Sequence, residues 1–132
     1  MTETARRDSA PGTILVIDDD ETNRYVLTSW LRRAGHTVID AADGAQGLAV
    51  LGARETPLPE AAVIDVHLPD MTGFEVCERI KADPNTASLP VIHVSAVAIE
   101  AVDHTEGLSR GADAYLDQPV DPEEFLATVT AA

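Results

Sequence analysis

The 132-residue chain has little basic character, a single cysteine and no long apolar run. Nine lysine and arginine residues stand against 23 acidic residues, and the formal net charge is −14. A surface this acidic repels phosphate backbones and anionic lipids, so we expect no binding of nucleic acid or membranes by this domain. No segment approaches the ~20 apolar residues that a transmembrane helix needs.

The single cysteine, Cys77, allows no internal disulfide and is typical of a protein in a reducing cytoplasm. It lies in an apolar helical pattern, which predicts a buried, inert thiol. Residues 1–12 are polar and lack the apolar core of a signal peptide, so we predict a disordered lead-in there. We therefore expect a cytoplasmic protein with one domain over residues 13–132.

Short apolar runs, typical of buried strands, alternate along the chain with segments of helical periodicity. The predicted strands are about Thr13–Ile17, His36–Ala41, Ala61–Asp65, Val91–Val94 and Ala114–Leu116. The predicted helices begin after the cap Asp20, cover about Gly44–Ala53, Gly73–Ala82 and Ile99–Arg110, and begin again near Pro122. This alternation predicts an α/β fold, a doubly wound parallel sheet with helices on both faces.

Tyr25, Val26, Trp30 and Leu31 occur at helical spacing and are predicted to form the packed side of the first helix. Trp30 is expected to serve helix packing rather than ligand binding. The four histidines lack the spacing of a zinc site. His93 lies in a predicted strand and is expected to be a hydrogen-bonded core residue.

Acidic residues end two of the predicted strands. Asp18–Asp20 follow the run Ile14–Ile17, and Asp65 follows the run Ala61–Ile64. If these strands are neighbours, as in the flavodoxin-like order 2-1-3-4-5, the carboxylates meet in the crevice where such sheets bind ligands. Carboxylates this close repel one another, and a hard divalent cation with oxygen ligands, which we expect to be Mg²⁺, would relieve the repulsion. Asp20 is expected to cap the first helix rather than bind the metal.

Four segments, in this order and spacing, carry a family resemblance. They are Ile14–Asp19, Val63–Pro69 together with Gly73–Glu75, Pro90–Ala96 and Gly111–Leu116. From Thr13 to Val129 the chain resembles the receiver domain of two-component response regulators. The resemblance implies a signalling switch rather than an enzyme, apart from phosphorylation and dephosphorylation of its own aspartate.

The resemblance also implies a role for each residue at the acidic crevice. Asp65 is expected to accept a phosphoryl group from a histidine kinase or phosphotransfer protein. Asp19, assisted by Asp18 and with Asp65 and the backbone carbonyl of His67, is expected to bind Mg²⁺. The side chain of His67 could also reach the phosphoryl group or its hydrolytic water.

Further along the chain, the resemblance implies a hydroxyl and an aromatic residue that act as a switch. Ser95 is expected to hydrogen-bond the phosphoryl group, and Tyr115 to change rotamer with it. That change would alter the surface of the fourth helix, fifth strand and fifth helix, which signals to a downstream output domain or protein. A homodimer through this surface follows from family analogy alone.

One position departs from the family pattern, because Gln118 precedes Pro119 where the family has a lysine. A neutral amide forms a weaker hydrogen bond to a phosphoryl oxygen than a charged amine does, so the phosphorylated state should be less favoured. Lys81, the only lysine, lies on the predicted third helix away from this edge. A degenerate receiver that works as a phosphate-independent interaction module is therefore an alternative.

A third hypothesis is a haloacid-dehalogenase-type phosphatase, whose pattern of aspartates fits the segment from Ile14 to Thr22. In that case Asp18 would be the nucleophile and Asp20 the acid and base. Such an enzyme needs a lysine downstream of Ser95, and the chain has none there.

Overall fold

The computed structural model describes residues 12–53, 58–95, 111–117 and 120–131. In these ranges the elements are β1 (Thr13–Ile17), α1 (Glu21–Arg33), β2 (Thr37–Ala41), α2 (Gly44–Gly52), β3 (Ala61–Asp65), α3 (Gly73–Ala82), β4 (Val91–Ser95), β5 (Ala114–Asp117) and α4 (Pro122–Ala131). The lead-in up to residue 11, the predicted helix over residues 99–110 and the Gln118–Pro119 dipeptide lie outside the described residues.

The five strands form one parallel sheet in the order β2-β1-β3-β4-β5, which confirms the predicted flavodoxin-like topology. In the register of β1 and β3, Ile14 faces Ala61 and Ile17 faces Ile64. The next residues along these strands, Asp18 and Asp65, therefore reach the same edge of the sheet. The sheet topology brings the two acidic segments together as the sequence pattern required.

Alternate residues of each strand face opposite sides of the sheet, because side chains along a strand alternate in direction. On one face of the sheet, Leu15 and Ile17 belong to a buried cluster that includes Val76, Cys77 and Ile80 of α3. The other layer comprises Ile14, Val16, Val63, Ile92, Leu27, Leu31, Phe125 and Val129. Both faces of the sheet are thus covered by helices, which explains why the interior strands are mostly apolar on both faces.

The ends of α1 follow the predicted capping residues. The side chain of Asp20 accepts a hydrogen bond of 3.0 Å from the backbone N–H of Asn23, which confirms Asp20 as the N-cap. Gly35, just beyond α1, has a φ of 99°, a conformation that glycine adopts without steric cost.

The prediction for the packed side of α1 was wrong at Tyr25. Tyr25 is 71% exposed, whereas the buried residues of α1 are Leu27, Thr28 and Leu31. Helical spacing alone does not distinguish faces that differ by one residue's rotation, and the docking of α1 on the sheet decides which is buried. Trp30 is partly buried, with its ring centroid 5.9 Å from that of Phe125 on α4, which confirms its role in helix packing.

His93 and Cys77 are fully buried in the core, as predicted. The ring nitrogen Nδ1 of His93 lies 3.2 Å from the backbone carbonyl oxygen of Ile64, within hydrogen-bond distance. The ring of Phe74 meets the His93 ring edge to face at a centroid distance of 5.2 Å. His93 is therefore a core residue that links β4 to β3 and α3.

Lys81 lies at the edge of the sheet opposite the acidic residues. Its Nζ donates to the carbonyl oxygen of Leu89, just before β4, at 2.6 Å, and lies 3.3 Å from a carboxylate oxygen of Asp113, just before β5. The same Asp113 oxygen accepts the backbone N–H of Val91 at 2.8 Å. Because these contacts hold Lys81 at the opposite edge of the sheet, it cannot replace a lysine at the acidic edge. No helix within the described ranges is long and apolar enough to cross a membrane.

Candidate functional site

Three carboxylates converge at the carboxyl ends of β1 and β3. Oxygen atoms of Asp18, Asp19 and Asp65 all lie within 4.8 Å of one another. Asp18 and Asp65 are buried, with 3% and 8% of their surface exposed, whereas Asp19 is exposed. The cluster thus has two buried walls and one side open to solvent.

Backbone hydrogen bonds hold the two buried carboxylates in place. Asp18 continues the sheet, because its N–H donates to the carbonyl of Ala41 at 3.1 Å. One of its carboxylate oxygens accepts the N–H of Asp20 at 2.9 Å. The Oδ1 atom of Asp65 accepts the N–H of His67 at 3.3 Å. Each aspartate is therefore oriented by the turn that immediately follows its strand.

The pKa of Asp65 is raised from 3.8 to about 7. The largest cause is burial, which disfavours the charged form, and the second is the negative charge of Asp18. The hydrogen bond from the His67 N–H lowers the pKa and offsets part of this. The native site therefore resists full ionisation of Asp65 unless a cation is present.

The pKa of Asp18 is raised to about 6, again mainly by burial, with the charges of Asp19 and Asp20 adding to the effect. Arg24 opposes the shift through its positive charge. A guanidinium nitrogen of Arg24 donates to the backbone carbonyl of Asp18 at 2.6 Å, and its Nε lies 3.3 Å from a carboxylate oxygen of Asp40. Arg24 links the end of β1 to β2 but leaves the carboxylates of the cluster without a direct cationic partner among the described residues.

The donor set fits a hard divalent cation. All three side chains offer carboxylate oxygens, which Mg²⁺ and Ca²⁺ prefer over nitrogen or sulfur ligands. The raised pKa values of Asp18 and Asp65 give the site an electrostatic reason to take up positive charge. Mg²⁺ usually keeps several waters and one or two carboxylates, and the open side at Asp19 leaves room for those waters.

An open pocket of about 550 Å³ lies over this cluster. Its lining residues are Asp19, Asp20, Glu21, Thr22, Asn23, Asp65 and His67. The side chain of His67 is exposed at the rim, beside Asp65. Asp20 also lines the pocket, but its carboxylate caps α1, as predicted. The pocket can therefore admit a small charged group to Asp65 from solvent.

Ser95 lies on β4, the strand next to β3, and Tyr115 lies on β5, the strand beyond β4. Asp65 is paired with Val94, so Ser95 is one residue further along β4, and it is fully buried. The half-buried Tyr115 ring has its centroid 5.9 Å from that of His93 and 6.4 Å from that of Phe74. The two predicted switch residues therefore lie on β4 and β5, on the side of β3 away from β1. Gln118 lies outside the described residues.

Two residues near the site were missed from the sequence. Arg24 could have been found, because a cation one turn into a helix that follows an acidic loop is placed to reach that loop's backbone. Asp70, whose carboxylate contacts the start of α2, follows from no local pattern, because its partners lie 25 and 26 residues away.

Residues 14–130 match the model of the response regulator receiver domain. The chain belongs to this family. It is therefore a receiver domain of two-component signalling, and the match gives no support to the phosphatase hypothesis.

Individual relatives agree with this assignment. Protein PilH of Pseudomonas aeruginosa is 36% identical over 118 residues, which cover 89% of this chain and 94% of that protein. The DNA-binding transcriptional regulator RpaA of Synechocystis is 38% identical over 118 residues, which cover 89% of this chain and 47% of that protein. The chain spans about half the length of RpaA and of several other curated relatives.

A solved structure of similar fold includes a metal. It is the receiver domain of a sensor histidine kinase from Pseudomonas aeruginosa, with a magnesium ion coordinated in its active-site cleft. The TM-score is 0.81 at 28% identity, and the match covers 92% of this chain and 97% of that one.

Proposed function

We propose that Asp65 accepts a phosphoryl group from the histidine of a kinase or phosphotransfer protein. The observation that carries this proposal is the convergence of Asp65 with Asp18 and Asp19 beneath an open pocket. In the transfer, a bond forms between a carboxylate oxygen of Asp65 and phosphorus while the bond from the donor's imidazole nitrogen to phosphorus breaks. The imidazole keeps the electron pair and takes up a proton.

Asp18, Asp19, Asp65 and the backbone carbonyl of His67 are the groups that would bind Mg²⁺. When bound, Mg²⁺ would offset the repulsion between the Asp65 carboxylate and the incoming phosphoryl oxygens. The magnesium ion in the similar histidine-kinase receiver supports this assignment. Asp65 itself stays oriented by the N–H of His67, so its attacking oxygen is held before the donor arrives.

The phosphorylated state would be read by Ser95 and Tyr115 and passed to an output domain or protein. Ser95 follows the β4 residue paired with Asp65, which supports a role for its hydroxyl at the phosphoryl group. Tyr115 on β5 packs beside His93 of β4 and Phe74 of α3. A change of the Tyr115 rotamer there would alter the outer surface of β5. We assign this role to a receiver domain over residues 13–132.

The direct test is the intact mass of the protein after incubation with Mg²⁺ and acetyl phosphate. Wild-type protein is expected to gain one phosphoryl group, and Asp65→Asn is expected to gain none, because its amide is not a nucleophile for phosphorus. A sample treated with a chelator should also gain none. Asp83→Asn is a matched control: it removes one negative charge at the far end of α3 and should be labelled like the wild type. Labelling of Asp65→Asn would show that another residue accepts the group.

Gln118 is the feature that favours the alternative, a receiver that works without phosphate. A hydrogen bond from a charged donor to a phosphoryl oxygen is roughly twice as strong as one from a neutral donor. Gln118→Lys is therefore expected to increase the labelled fraction several-fold and to slow the loss of the phosphoryl group. The measurement is the time course of the labelled mass after the phosphodonor is removed. Labelling of Gln118→Lys but not of the wild type would identify the natural chain as a degenerate receiver. Equal labelling and equal lifetimes would show that position 118 does not contribute.

A further inference from the structure

Asp70 connects the loop that follows Asp65 to the beginning of α2. Its Oδ1 accepts the N–H of Gly44 at 2.9 Å, and its Oδ2 accepts the N–H of Ala45 at 2.8 Å. These two hydrogen bonds lower the pKa of Asp70, which shows that they favour its charged form. Both carboxylate oxygens are therefore used in a contact between two elements that are far apart in sequence.

This contact is more than the ordinary cap of α2. Asp43 already supplies that cap, because its side chain accepts the N–H of Gln46 at 2.8 Å and its carbonyl accepts that of Gly47 at 3.2 Å. Helices begin with four N–H groups that have no partner within the helix. The Asp43 side chain satisfies one of them, that of Gln46, and Asp70 satisfies two more, those of Gly44 and Ala45, from the β3–α3 loop.

The loop that carries Asp70 is closed at its base. The N–H of Gly73 donates to the carbonyl of Val66 at 2.7 Å, and His67 pairs with Thr72 in an isolated antiparallel bridge. Thr72 in turn forms a capping box with Glu75 at the start of α3. Asp70 lies between the bridge residues, so the far side of the loop is anchored to α2 and its base to α3.

His67 lies on this loop and acts directly on Asp65. Its N–H donates to Asp65 Oδ1 at 3.3 Å, a distance at which a small displacement would break the hydrogen bond. Its backbone carbonyl is the group assigned above to the metal. The orientation of the phosphoacceptor carboxylate therefore depends on where the loop from Val66 to Thr72 is held.

We propose that Asp70 is a positioning residue for the acidic site: its anchorage on α2 holds the β3–α3 loop so that His67 orients Asp65 and completes the metal site. This inference rests on the proposed function. It assigns Asp70 no contact with the metal or the phosphoryl group, and it predicts that loss of the anchorage weakens metal binding and labelling together.

The test compares Asp70→Ala with Asp43→Ala by calorimetric titration with Mg²⁺. Both variants remove one negative charge and one cap from the same end of α2, but only Asp70→Ala releases the loop. Asp70→Ala is expected to weaken Mg²⁺ binding about tenfold, the scale seen when groups that orient metal ligands are lost. Asp43→Ala should stay within about twofold of the wild type. Asp70→Asn has the same charge as Asp70→Ala but keeps one acceptor oxygen, so its affinity should lie between those of Asp70→Ala and the wild type.

A second readout uses metal-free protein. In the ¹H–¹⁵N NMR spectrum, the His67 N–H resonance should shift in Asp70→Ala and remain in place in Asp43→Ala. If Asp70→Ala does not fold, the same Mg²⁺ titration and NMR comparison is made between Asp70→Asn and Asp43→Asn.

Three results would contradict the inference in different ways. Equal Mg²⁺ affinity of Asp70→Ala and wild type, with the wild type binding and labelled, would overturn the inference alone. Equal weakening by Asp43→Ala would assign the effect to charge or helix stability and would also overturn it. Wild-type protein that neither binds Mg²⁺ nor is labelled would overturn the proposed function, and the inference with it.

Discussion

Asp65→Asn is expected to raise the free energy of unfolding by roughly 1–3 kcal/mol above about pH 8 in metal-free buffer. The reason is the raised pKa of Asp65, about 7 against an ordinary value of 3.8, which measures how strongly the buried site disfavours the charged carboxylate. Asparagine has nearly the same shape and carries no charge, so it removes both the desolvation cost and the repulsion from Asp18. The measurement is urea denaturation of the two proteins at a series of pH values.

The pH dependence of this effect has a definite sign. Because the folded state holds the Asp65 proton more tightly than the unfolded chain does, the folded protein binds more protons between about pH 4 and pH 7. The free energy of unfolding of the wild type should therefore fall as the pH rises through that window, and Asp18 should add to the fall up to about pH 6. The advantage of Asp65→Asn should vanish below about pH 4, where the carboxyl is neutral in both states.

Mg²⁺ should reduce the difference between the two proteins, because it stabilises the native state of the wild type in proportion to its binding. Glu123→Gln is the control for net charge: Glu123 is exposed in the first turn of α4, and its loss should change stability by less than about 0.5 kcal/mol. A wild type that is more stable than Asp65→Asn in metal-free buffer above about pH 8 would contradict the electrostatic account of the site.

Gly73→Ala is expected to lower the free energy of unfolding by about 2–4 kcal/mol and to weaken Mg²⁺ binding as well. A Cβ atom at Gly73 would lie 2.3 Å from the backbone oxygen of Asp65 and 2.9 Å from the Cα of Val66. These are backbone atoms that cannot rotate away, so the start of α3 must separate from the end of β3. That separation would move the loop that orients Asp65. Urea denaturation and Mg²⁺ titration measure the two effects.

Gly52→Ala is the matched control for this substitution. Gly52 is the last residue of α2, and a Cβ there would meet nothing within 4 Å. Alanine should leave stability unchanged or raise it by up to about 1 kcal/mol, because it restricts the unfolded chain more than glycine does. If Gly73→Ala were as stable as Gly52→Ala, the close approach of α3 to the end of β3 could not be what holds the site together.

Much of the acidic site was predictable because its parts follow local rules. Asp18 and Asp65 each end an apolar run, and parallel strands bring their carboxyl ends to one edge. The capping role of Asp20 followed from its residue type and place before the helix. The assignment of Asp65 as phosphoacceptor, by contrast, came from family resemblance and remains a prediction until the protein is labelled.

The sequence by itself determined the order and type of the described elements, and every predicted strand end matches the structure or differs from it by one residue. It did so because apolar periodicity, helix caps and glycine positions act over a few residues. Only the tertiary structure decided that Tyr25 is exposed, that Lys81 contacts Asp113 and that Asp70 anchors the loop after Asp65 to α2. The last two contacts join residues 32 and 26 positions apart. Such hydrogen bonds depend on how loops pass between packed elements, which no local pattern in the chain encodes.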